Sequence, residues 1–71
     1  MVNLAVKNNQ PTCQISKYGT KRWILNGKLH REDGPAIEYV NGPKYWWYHG
    51  ERILCSSQEE FERLLKLKAL W

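Results

Sequence analysis

His30, Arg31, Glu32 and Asp33 stand in four consecutive positions, and they gather most of the proton-transfer and ion-binding chemistry that the sequence puts in one place. A histidine beside carboxylates suits general-base work, and a Glu with an Asp suits a divalent cation. Sequence neighbours in extended chain point to opposite faces, so the four converge on one substrate only if the backbone curls. The setting also lacks a recognisable nucleophile and a glycine-rich phosphate loop, and His49 is the only other histidine. Two cysteines without a CxxC spacing make a poor zinc site. The expectation is a chain with no catalytic residue, no metal and no cofactor. The same stretch reads more simply as a turn. Asp33 before Gly34 and Pro35 suits an Asx turn, with Arg31 and Glu32 pairing to neighbours and His30 bonding a backbone carbonyl. His30 and Arg31 stand evenly between structure and recognition.

The elements that must position these residues are short. Gly19, Gly27, Gly34, Gly42 and Gly50 recur at spacings of 8, 7, 8 and 8, each as the second residue of a turn-like pair. Asn-Gly and Asp-Gly pairs favour tight hairpins. The stretches between them, "KRWIL", "AIEYV" and "KYWWY", are rich in β-branched and aromatic residues. "YGTKRWILNGK" matches "NGPKYWWYHGE" at an offset of 23, and "VKNNQPT" (6–12) answers "HREDGPA" (30–36) at an offset of 24. After residue 56 the character changes. Ser57 and Glu60 form a capping-box pattern, acids crowd the next turn, and Lys66 and Lys68 suit a C-terminus. Phe61, Leu64 and Leu65 make an apolar stripe. The predicted fold is α+β, one domain over 1–71. Two degenerate repeats of about 23 residues over 6–54 form an antiparallel β-meander of five to six strands, and one helix spans 57–69. Leu67, Leu70 and Trp71 lie off the stripe and point to a second contact.

Within "KYWWYHGER", a strand puts Tyr45, Trp47 and His49 on one face and Trp46 and Tyr48 on the other. The repeat assigns Trp23 and Trp46 to the core beneath the helix. Tyr45, Trp47, His49 and Arg52, with His30 and Arg31, are then the candidate partner-binding residues, since Trp, Tyr and Arg are the usual interface anchors. The rival partner is nucleic acid or a nucleotide, held by Lys21, Arg22, Lys44 and the same aromatics. The charge is lopsided: residues 1–31 carry +6 with no acid, and residues 32–71 carry −2. Exposed lysines also guard strand edges against aggregation, and the acidic half repels a long polyanion.

Seventy-one residues make a thin core, which calls for added support from aromatics or oligomerisation, and a homodimer through open sheet edges is a third class of reading. No long apolar run marks a leader or a membrane span, so the chain is expected in the cytosol with Cys13 and Cys55 reduced.

The stretch "NGKLHREDGPAIEY", followed by "NG" and spaced Trp, Tyr and Gly, resembles the repeat of small proteins and repeat arrays from bacteriophages and giant viruses. There "NGxxHRxDGPA" alternates with "W-x-NG" hairpins, and a short helix containing "EEF" closes the chain. The likeness runs from about Trp23 to Leu65, is fullest at 26–39, and departs after Gly50, where "ERILC" replaces another "xHRxDGPA". It is loosely similar to MORN-type β-hairpin repeats. The resemblance implies a phage-encoded accessory protein in the bacterial cytoplasm that binds a host enzyme or defence protein and inhibits or redirects it.

Overall fold

A computed structural model describes residues 10–68. Among these residues six strands come first: β1 Thr12–Ile15, β2 Lys21–Leu25, β3 Lys28–Leu29, β4 Ile37–Glu38, β5 Lys44–Tyr48 and β6 Glu51–Ile53. One helix, α1, Gln58–Lys68, follows. All pairings are antiparallel. Strand β2 pairs β1 along one edge, and its other edge is shared by β3 and β4. Strands β3 and β4 are thus two halves of one strand, interrupted by residues 30–36, and the sheet is a meander. The predicted α+β meander with a C-terminal helix is the observed fold. Residues 6–9 of the first repeat, and Ala69, Leu70 and Trp71 with the contact expected of them, lie outside the described residues.

The repeat has a geometric counterpart. Lys21 and Lys44 open β2 and β5, and Trp23 and Trp46 sit at their centres. Both strands end in a two-residue turn with positive φ at each position, Asn26 and Gly27 in one and His49 and Gly50 in the other. That is the backbone of a type I′ hairpin, whose twist matches its flanking strands. The other glycine pairs differ. Gly34 and Gly42 are absent from the positive-φ positions, and only Gly19 joins Gly27 and Gly50 there. Gly34 is instead packed under Arg31, where a Cβ would stand 2.7 Å from the guanidinium carbon and would make that side chain shift.

By strand register, Trp23, Glu38, Trp46, Tyr48, Glu51 and Ile53 share one face, while Arg22, Ile37, Tyr45, Trp47 and Arg52 share the other. The helix packs on the first. Phe61 is fully buried, and its ring centroid lies 6.5 Å from that of Trp46, which is 7% exposed. Trp23, the repeat partner of Trp46, is only half-buried, because Arg31 rather than the helix covers it. The helix begins where the cap pattern placed it: the Glu60 N–H donates to Ser57 Oγ at 3.1 Å. The return arm of the box is shifted by one residue, since Glu60 Oε1 accepts from the backbone N–H and the hydroxyl of Ser56. Those bonds to the ionised form hold the Glu60 carboxyl below its ordinary range.

Candidate functional site

Residues 30–36 leave the sheet opposite Trp23. The Trp23 carbonyl accepts from the His30 N–H and its N–H donates to the Ala36 carbonyl, so the strand exits and re-enters around one residue. On the far side the Arg31 and Ala36 N–H groups donate to the Trp47 and Tyr45 carbonyls of β5. Arg31 organises the excursion. Its guanidinium lies 3.8 Å over the Trp23 ring. Its Nε donates to Asp33 Oδ1 at 3.0 Å, and its Nη1 donates to the Pro35 carbonyl and to Glu38 Oε2. Asp33 therefore spends its carboxylate on Arg31, where an Asx turn onto backbone N–H groups was expected. With its side chain 20% exposed, Arg31 is chiefly a structural residue.

The same loop reaches the helix through Gln58, which sequence reasoning missed. Its Oε1 accepts the Trp46 indole N–H at 2.8 Å, while its Nε2 donates to the Glu32 carbonyl and to Glu62. One amide thus joins sheet, loop and helix. The only sequence signal was a polar residue in the first helical turn.

His30 is 2% exposed. Its Nδ1 accepts the His49 backbone N–H at 2.9 Å, the reverse of the donation to a carbonyl expected from sequence. The proton then sits on Nε2, which faces Glu32 Oε2 at 3.5 Å. The ring stacks on that of His49 at 4.1 Å and tilts against Tyr48 at 5.0 Å. Burial and the neighbouring His49 push the His30 pKa below its ordinary value, and Glu32 only partly offsets them. The ring is neutral near neutral pH and occupied at both nitrogens, an arrangement that locks the β5–β6 turn onto the loop. It leaves His30 little surface to offer a partner, and His49 is the exposed member of the pair. Because the folded pKa lies below the unfolded value, this interaction is fully present above about pH 6.5 and is lost as pH falls toward the folded pKa. Urea midpoints are expected to fall as pH drops below about 6.5. His30→Gln, less stable throughout, should show a much shallower fall, and an equal slope in both proteins would contradict this role.

The face without the helix carries the other candidates. Arg52 lies over the Tyr45 ring at 4.4 Å, and Tyr39 meets Tyr45 edge-on at 6.1 Å. Trp47 is half-buried, and its indole N–H is buried without an acceptor among the described residues. Tyr45, Trp47 and Arg52 are thus brought together. His30, His49 and Arg31 fall elsewhere, the first two at the end of the β5–β6 hairpin and Arg31 under the loop on the helix-bearing face. The nucleic-acid alternative is divided by the sheet. Lys21 and Lys44 flank Glu38 in one register row on the helix-bearing face, and Arg22 lies on the other.

Two depressions accompany these groups. One of about 310 Å³ is lined by Gln10, Pro11, His30, Glu32 and Asp33. The other, about 290 Å³, lies between β6 and α1, where the exposed Leu54 and Leu67 meet Ile53 and Leu64. Leu67 thus joins a groove off the main helical stripe. Among the described residues no cluster of three His, Cys, Asp or Glu side chains could hold a metal ion, and no helix is long and apolar enough to cross a membrane. Cys13 and Cys55 are free thiols. Burial and the nearby Glu60 push the Cys55 thiol up, which makes it a poor nucleophile. Comparison of the chain with protein-family models, curated proteins and solved structures finds no match.

Proposed function

We propose that this chain is a non-enzymatic binding protein of the phage accessory type, which docks on a host protein through its helix-free face and inhibits or redirects it. The observation that carries the reading is the Arg52–Tyr45 stack beside Trp47, on the face that the helix leaves uncovered. Tyr, Trp and Arg held side by side are the residues that anchor protein interfaces. The Trp47 indole supports it further. A buried donor without an acceptor costs about 1–3 kcal/mol, so Trp47 is a poor choice for stability alone. His49 lies outside this surface, stacked on His30 at the hairpin end, and Arg31 and His30 act through the loop they hold. The host and the bacterial cytoplasm come from the resemblance of "LHREDGPA" to phage repeats. Nucleic acid is the weaker reading, because Lys21 and Lys44 sit on the opposite face from Arg22.

The test is capture from bacterial lysate with the tagged chain, with and without nuclease, at low and high salt. One host protein retained in every condition, and lost with Tyr45→Ala or Trp47→Ala in a folded variant, is the expected result. Capture abolished by nuclease, or unaffected by both substitutions, would contradict the proposal. Phosphate-driven binding weakens steeply with salt, whereas an aromatic interface does not.

A further inference from the structure

We infer that the segment this face binds is an acidic stretch of protein, with two carboxylates flanking an apolar side chain; the inference rests on the binding reading above and deepens it. The charges are sorted by face. Glu38 and Glu51 lie on the helix-bearing face by register, Glu32 and Asp33 belong to the loop that packs there, and the remaining acids are on α1. The helix-free face therefore presents Arg22 and Arg52 with no carboxylate beside them, and neither arginine is ion-paired among the described residues. Both are exposed, as is Tyr39.

Arg52 lies against the Tyr45 ring, is exposed and is not ion-paired among the described residues, so its planar guanidinium is held in place with N–H donors left for a carboxylate. Arg22 and Arg52 are separated by three interstrand steps, about 14–15 Å. Although Arg52 stands opposite Trp47, its lean over Tyr45 brings the guanidinium back toward the Arg22–Ile37–Tyr45 row. In an extended segment, side chains at i and i+4 point the same way and stand about 14 Å apart, with the side chain at i+2 between them. An acid–x–apolar–x–acid sequence laid across the strands places its carboxylates on the two arginines and its apolar residue over Tyr45 and the buried Ile37, with Tyr39 at the side. A single-stranded nucleic acid fits less well. Arg52 covers one face of the Tyr45 ring and Tyr39 abuts it, which removes the open platform on which a base would stack.

The experiment is an NMR titration of the isotope-labelled full chain with an acetylated Gly-Glu-Ala-Leu-Ala-Glu-Gly peptide. Its Gln-for-Glu counterpart and a short oligothymidylate are titrated in parallel. The expected result is shifts at Arg22, Tyr39, Tyr45 and Arg52 with the Glu peptide, and about tenfold weaker binding for each of Arg22→Glu and Arg52→Glu. A Lys-for-Glu peptide should recover binding to the double variant. Shifts confined to the helix side, equal response to the Gln peptide, stronger binding of the oligothymidylate, or no binding at all would each overturn the inference. The broader reading fails separately. A host protein captured from lysate that is lost with Trp47→Ala but indifferent to Arg22→Glu and Arg52→Glu would refute the acidic partner and leave the face in place.

Discussion

Trp46→Ala is expected to unfold the chain at room temperature. Removing a buried tryptophan costs about 3–5 kcal/mol, and a domain of this size holds about that much in total. The loss has three parts in this fold. The indole fills the space between β5 and the fully buried Phe61, its N–H satisfies the Gln58 amide, and Gln58 in turn fixes the loop carbonyl of Glu32. Trp46→Phe keeps much of the volume and gives up the hydrogen bond, so a folded variant weakened by about 1–2 kcal/mol is expected. Far-UV circular dichroism and urea unfolding distinguish the two. A Trp46→Ala protein with a native spectrum and an unchanged urea midpoint would contradict the placement of the core.

The second large effect belongs to Arg31. Arg31→Ala removes the cation–π contact with Trp23 and the bonds to Asp33, Glu38 and the Pro35 carbonyl, and we expect a loss of about 2–3 kcal/mol. Lysine should rescue little, since one ammonium group cannot reproduce a planar fork shared among several acceptors. Gly34→Ala acts on the same group from below, forcing the guanidinium off its seat. The two changes should therefore be non-additive. Gly34→Ala is expected to cost about 1–3 kcal/mol in the parent and well under half of that in an Arg31→Met background. Full additivity in the urea midpoints would show that Arg31 does not depend on Gly34.

Much of this architecture was legible because it is local. Ser57 and Glu60 announced the helix start, Asn26 with Gly27 and His49 with Gly50 announced the hairpins, and the match of Trp23 to Trp46 announced two equivalent strands. What was not legible depends on contacts between distant parts of the chain. Nothing near Asp33 and Gly34 reveals that the strand merely pauses there, because the bonds that close the pause come from Trp23, Tyr45 and Trp47. Arg31 and His30 are polar, and their burial follows only once Trp23 and His49 are brought against them. Gln58 showed in the sequence only as a polar residue in the first helical turn, for the same reason. The pairing of Tyr45 with Trp47 was readable from strand alternation, whereas His49 left that face when it entered a turn with positive φ.

In the opening cluster His30 and Arg31 are spent inside the fold, with Glu32 and Asp33 paired to them at its surface, and the proposed binding is assigned to the other face. The most direct measurement is site-specific photo-crosslinking in bacterial cells, with the reactive residue placed at position 39 on the helix-free face or at position 63 on the exposed side of α1. A single discrete adduct from position 39, lost when Tyr45 and Arg52 are both replaced by alanine, and none from position 63, is the predicted result. An adduct from position 63 alone, or none from position 39, would contradict the account.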